Sequence, residues 1–526
     1  MATLAVTVLV TRQFSKAVAG AFFTAISVFL IAEAVGSLGA KTGAVYFIAR
    51  LRSLGEDSRI PAILRAAIVP VLVASLLVSA AVLLFAGPLA HLFIGGHLGQ
   101  GHVSPGAVSQ ALRALALALP FAALLEAFLG ATRGYRDMRA TVLVDNIGRQ
   151  VAQMVGVLLA VAAGSAALLA PLWVVPYVPA AVGAWLWLRR LRKNPEPARG
   201  RMPPVPPELA ALLALAKPVP PPRTPASAAP GSADGNRLAR RRLASANPRG
   251  FWRFTAPRGL ASLAQITLQR IDIVLVALIR GPAQAAVYTA ATRFLVAGQL
   301  GNTAISNAAQ PRLTEFFAVG DHRSAKVIYQ VTTAWLVLLT WPLYLLAVVY
   351  GPEVLTIFGH SYRAGTAVMI VLGLAMLVAS ASGQVDIVLI TAGRSSWSLA
   401  NGLLAVGVNV GLDLLLIPRY GITGAAIGWA IAIVVSNFVP LAQVAAAIRL
   451  HPLGRGTLVA CALSAVSFAA VPLLVRGAFG TGVIPSAAGA AIGCAVMVTG
   501  LWGFRRVLRL SAMPGLSSLR ARRRAR

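Results

Sequence analysis

Apolar runs of about 20 residues, separated by short polar joints, recur along nearly the whole chain. At a rise of 1.5 Å per residue, a run of that length crosses the ~30 Å hydrocarbon core of a bilayer as one α-helix. The runs lack the strict apolar–polar alternation of barrel strands, so helices are predicted and strands are not. Approximate spans are 19–40 with a helical extension to Arg50, then 64–86, 110–132, 140–163 and 168–188. A second series follows at 259–280, 285–310, 327–350, 364–391, 396–418, 422–448, 455–475 and 483–504. A shorter run at 1–12 opens the chain and completes a set of fourteen. Between the two series, residues 191–250 are rich in Pro, Ala, Ser and Arg. Proline runs at 203–207 and 218–222 resist helix and sheet alike, so a flexible linker is expected, with room for one short amphipathic helix at 208–217.

Composition narrows the class. The 526 residues are 58% hydrophobic and only 12% charged, with a mean hydropathy of +0.77. A soluble domain carries about a quarter of its residues as charge, and a water-exposed surface could not hide this much apolar area. The formal charge of +32 does not point to nucleic acid, because the basic residues sit between and after the apolar runs. With the loop after the second span placed in the cytoplasm, cytoplasmic segments hold 36 of the 47 Lys and Arg residues and outer loops hold seven. This asymmetry puts both termini in the cytoplasm and supports the span count. The two cysteines, Cys461 and Cys494, lie inside late apolar runs, which excludes a disulfide framework and a cysteine-based metal site. No cleavable signal peptide and no glycine-rich nucleotide loop are evident, and no cofactor is expected.

The two halves resemble each other. Phe23-Thr24-Ala25 recurs as Tyr288-Thr289-Ala290, 265 positions later, and Gly87-Pro88 with Gly95 recurs as Gly351-Pro352 with Gly359, 264 positions later. Six helices separate each pair, an even number that preserves orientation. The expected fold is therefore an all-α integral membrane protein, with two parallel six-helix bundles (1–190 and 251–450), two further helices in 451–505 and a basic tail at 506–526. The repeat pairs the short opening run with the full-length span before Arg280, which predicts a native start upstream of Met1.

The segment LLIPRYGITGAAIG at 415–428 resembles the penultimate-to-last helix connection in the second bundle of prokaryotic polysaccharide-export flippases, a family allied to the lipid II flippases and the multidrug extruders. DIVLVALIRGP at 272–282 followed by AVYTA at 286–290, and GSLGAKTGAVYFIAR at 36–50, resemble further helix ends of that family. In physical terms Pro418 and Gly421 suit a chain reversal, and Gly424 with Gly428 a close helix contact. The resemblance implies alternating access at a bacterial inner membrane. The substrate it implies is a polyprenyl-diphosphate-linked saccharide that stays partly in membrane lipid, with glycosyltransferases or a glycan polymerase as partners. Where the family often has an acid, this chain has Lys41.

Charge at membrane depth is costly and marks function by default. Arg270, Arg293 and Lys41 are the candidate diphosphate ligands, since fixed cations, and guanidinium forks above all, suit phosphate oxygens, with structural pairing to the acids or snorkelling at an interface as the competing roles. Gln269, Gln265 and Asn302 are candidate saccharide contacts, with interhelical hydrogen bonding as the competing role. Asp272, Asp145, Asp386 and Asp413 are candidates for coupling to H⁺ or Na⁺, with structural pairing as the alternative. Two other functions stay open: a small-cation extruder of the same fold, which would favour an acidic cavity, and a non-transporting membrane scaffold with a sealed core.

Overall fold

A computed structural model describes residues 2–94, 103–193, 248–318 and 320–508. The Pro-rich insert, the short helix expected at 208–217 and the tail from 509 lie outside these described residues, apart from the insert's ends. What is described is helical, without β-sheet, and ten of its helical stretches are long and apolar enough to cross a membrane. In chain order the helices are α1 (Ala2–Gln13), α2 (Lys16–Ser37), α3 (Ala40–Ser53), α4 (Ile60–Ile94) and α5 (Pro105–Gly134). A π-helical stretch, Thr141–Arg149, leads into α6 (Gln150–Ala162), followed by α7 (Leu169–Val174) and α8 (Tyr177–Lys193). Next come α9 (Pro248–Arg280), α10 (Pro282–Ala318), α11 (His322–Val349), α12 (Gly351–Leu355), α13 (Thr366–Ala381) and α14 (Val385–Thr391). The series closes with α15 (Ser395–Ile448), α16 (Arg455–Ala465), α17 (Val471–Phe479) and α18 (Val483–Gly503).

The described residues form two compact units. The first gathers the described parts of 1–200 and 223–289 together with 413–422; the second gathers 290–412 and 423 onward. In the first unit α5 is central, packing against α2, α3, α4, α7 and α8, while α9 lies on α2, α3 and α4. Small residues make these approaches close, as membrane helices require in the absence of a hydrophobic drive between them. At Gly130 of α5 a Cβ would stand 2.7 Å from both Cα and O of Lys41 on α3.

The second apolar run is not one continuous helix. It breaks at Leu38 and Gly39, both with positive φ (50° and 68°), and α3 starts afresh at Ala40. The backbone of Gly259 on α9 passes so near that a Cβ on Gly39 would lie 2.3 Å from the Gly259 Cα. Glycine's tolerance of φ > 0 and its missing side chain both serve this crossing.

The stretch 413–422 joins the first unit through Arg280, whose Nε and Nη2 donate to the Ile417 and Pro418 carbonyls at 3.0 and 2.5 Å. Inside α15, Gly421 (φ 59°, ψ −138°) leaves the helical region and breaks the helix just after Pro418, where the sequence predicts a reversal. In the second unit α11 packs against α13 and α16. Leu313 and Phe316 of α10 share a buried cluster with Val388, Leu389, Val444 and Leu450.

Candidate functional site

The first unit holds a cluster of charged side chains at membrane depth. The tight seat of Gly130 brings Glu126, one turn earlier on α5, opposite Lys41, and the two form an ion pair at 2.5 Å. The π-helical stretch carries Asp145 and Arg149. Arg149 Nε donates to Asp145 Oδ1 at 2.7 Å, and its Nη1 donates to Gln153 Oε1 at 3.0 Å. Gln153 in turn donates to the Trp173 carbonyl at 3.1 Å, and the Arg149 guanidinium lies 4.7 Å from the Tyr177 ring centroid. Glu33 on α2 lies in the electrostatic field of Glu126, Lys41, Arg149 and Asp145. Runs of π-helix concentrate at functional sites, because the extra residue in each turn re-aims the side chains.

Arg270 on α9 borders this cluster, and its electrostatic neighbour is Tyr177. Lys41 and Arg149 are each matched by a carboxylate, whereas among the described residues Arg270 forms no ion pair. Gln269 is half-buried and Gln265 exposed on the same helix.

A second feature of the first unit is a buried acid pair. Asp272 on α9 is 3% exposed and Asp413 on α15 is 0% exposed. The two carboxyl groups lie within hydrogen-bonding reach of each other. Tyr288, also fully buried, donates its hydroxyl to Asp272 Oδ2 at 2.6 Å. Among the described residues, neither oxygen of Asp413 takes a hydrogen bond from a donor group. Two carboxylates at contact in a low-dielectric interior require a positive charge between them, either a proton or a metal cation.

The remaining candidates belong to the second unit. Arg293 is buried on α10 at 8% exposure. Asp386 accepts a hydrogen bond from Ser398 Oγ at 2.5 Å. Asn302 accepts from Gln384 Nε2 at 2.5 Å, and Ser306 donates to Gln384 Oε1 at 2.6 Å. The structure thus gathers Lys41, Asp145 and Arg270 in one cluster and Asp272 with Asp413 in another. Gln153, Tyr177, Tyr288, Ser306 and Gln384 were not singled out from sequence. Only Gln153, four residues after Arg149, offered a local signal.

Comparison with known proteins places this architecture. The MatE family model matches residues 257–415. None of the curated proteins compared with the chain matches it by sequence. Among solved structures, a lipid II flippase, MurJ, in an inward closed conformation aligns with 96% of this chain and 97% of its own, at 14% identity and TM-score 0.65. An inward-facing multidrug resistance MATE transporter aligns with 85% of this chain and 94% of its own, at 16% identity and TM-score 0.60. A transporter of the same superfamily from Pyrococcus furiosus, described as having a binding pocket of reverse polarity, aligns with 85% and 91%, at 15% identity and TM-score 0.53. The chain shares its fold with these solved multi-pass transporters.

Proposed function

We propose that this protein flips a polyprenyl-diphosphate-linked saccharide from the cytoplasmic to the outer leaflet of a bacterial inner membrane by alternating access. It would do so through fourteen spans in two parallel six-helix bundles plus two C-terminal helices, with both termini in the cytoplasm. No covalent bond is broken, so the protein is a transporter and not an enzyme. The observation that carries the reading is Arg270, which among the described residues forms no ion pair while Lys41 and Arg149 do. A guanidinium at membrane depth needs an anionic partner or water, and a diphosphate offers oxygens at the spacing of its fork. Arg293 adds positive charge, and Lys41 would do so on release from Glu126, while Gln265, Gln269 and Asn302 supply amides for sugar hydroxyls. Asp272 and Asp413 would hold the coupling H⁺ or Na⁺, with Asp145 and Asp386 in supporting roles. Envelope glycosyltransferases and a polymerase would supply and consume the substrate.

A second reading, extrusion of small cations, draws on a specific observation. The ion pair with Glu126 neutralises Lys41, and Glu33 adds an acid to the same cluster. One assay separates the two. Proteoliposomes with the purified protein are loaded with a fluorescent undecaprenyl-diphosphate saccharide or with ethidium. Translocation of the lipid without efflux of the dye supports the flippase; dye efflux without lipid movement supports the extruder.

A further inference from the structure

Helix α10 differs from the other long helices. At 37 residues it could span the bilayer, yet it is not among the ten apolar spans. From Phe294 to Pro311 it carries no charged residue. Its polarity comes from amides and hydroxyls, and these fall in a pattern. Asn302, Ser306, Gln310 and Thr314 recur every fourth residue, flanked by Thr303 and Asn307. At about 100° per residue they occupy one arc of roughly 140°. Along this arc Asn302, Asn307, Gln310 and Thr314 are exposed, while Ile305 and Ala309 beside it and Leu313 at its edge are buried in the second unit.

The stripe is not simply a helix end projecting into water. Leu313 shares a buried cluster with Val444 and Leu450, at the close of the span that ends at Ile448. Residues 302–310 lie on the membrane side of that level. An uncharged polar face at that depth has to meet water or a polar ligand, because lipid satisfies none of its donors and acceptors. Part of it is held in place. Gln384, 5% exposed, accepts from Ser306 and donates to Asn302, fixing which way both side chains offer their remaining lone pairs and hydrogens. Fixed amide and hydroxyl groups in a row match hydroxyl groups in a row. They offer no countercharge to a carboxylate, a sulfate or a cationic drug.

We infer that this α10 stripe, braced by Gln384, is a track for the glycan part of the substrate, and that it selects an uncharged, hydroxyl-rich oligosaccharide over an acidic one. The inference rests on the flippase reading above and adds the chemical class of the sugar.

The test measures binding to the purified full-length protein by three probes: undecaprenyl diphosphate alone, the same lipid carrying an N-acetylglucosamine trisaccharide, and the same lipid carrying a glucuronic acid trisaccharide. The neutral glycolipid should bind at least tenfold more tightly than the other two. Replacing the exposed pair, Asn307→Leu with Gln310→Leu, should reduce the neutral glycolipid to the affinity of the bare lipid and leave the bare lipid unchanged. Ala308→Leu, on the far side of the same helix, should behave as wild type and controls for folding. Equal affinity for neutral and bare lipids, tightest binding of the uronate lipid, or a double variant with wild-type preference would each overturn the track. If none of the three lipids binds, the flippase reading fails and the track falls with it.

Discussion

The contact between Gly130 and the α3 backbone makes a sharp test of how the charged cluster is assembled. In Gly130→Ala the new Cβ would stand 2.7 Å from the Lys41 Cα and O, where ordinary contact begins at 3.4 Å. Both obstacles are backbone, so no side-chain rotation relieves them, and α5 has to withdraw from α3 by about 0.7 Å. Overpacking of this kind costs about 1–3 kcal/mol. At the few degrees per kcal/mol found for large domains, the thermal midpoint should fall by about 2–8 °C. The same withdrawal lengthens the Lys41–Glu126 pair from 2.5 Å to about 3.2 Å, still in contact but weaker, so transport should fall modestly along with stability. The assay is thermal unfolding in detergent, followed by tryptophan fluorescence, beside Gly407→Ala as control. A Cβ at Gly407 meets nothing within 4 Å, and alanine there should be neutral or slightly stabilising. A Gly130→Ala protein as stable as that control would refute the close approach.

Two further outcomes are expected. Asp413→Asn keeps the volume and can hydrogen-bond Asp272, so the protein should fold, yet transport should fall at least tenfold and lose its dependence on Na⁺ or pH; an unchanged cation dependence in the reconstituted assay counts against the acid pair as the coupling site. At the start of α11, Asp321 caps the helix by accepting from the Ser324 N–H at 3.0 Å. Slight burial disfavours its charge, but the hydrogen bonds from Ser324 and the Arg323 backbone outweigh that and hold its carboxyl below the ordinary range. This stabilisation is complete above its unfolded value near pH ~4 and is lost as pH falls through the lowered one. Asp321→Ala should cost about 1 kcal/mol at pH 7, the usual loss of a helix N-cap, and the gap in thermal midpoint should narrow on acidification.

The helices were legible because a bilayer imposes a length and a hydrophobicity that a run of residues either meets or fails. Pro418 and Gly421 announced the break inside α15 through the backbone conformations they favour. Where tertiary packing decides, the sequence was silent. Gly39 permits the break at Leu38–Gly39, but the passage of Gly259 that it accommodates is not local. The i, i+4 spacing of Asp145 and Arg149 is compatible with a pair on a helix, but nothing local shows that a π-helical stretch carries it. The partner of Lys41 was not legible, because Glu126 lies 85 positions away and meets it only through the Gly130 contact. Asp272 and Asp413, 141 positions apart, stood out singly as acids at membrane depth, and only the fold shows them facing each other.

The central claim, that a fixed cation in this cluster receives the diphosphate of a lipid-linked saccharide, rests on Arg270. The most direct measurement is export of the lipid-linked saccharide in cells lacking the native gene, with the amount of protein in the membrane quantified in parallel. Arg270→Lys keeps the charge but loses the bidentate fork, so export should be partial. Arg270→Glu should nearly abolish export while the membrane level stays close to wild type. Normal export by the Glu variant would contradict the account, and loss of folded protein in both variants would assign Arg270 a structural role instead.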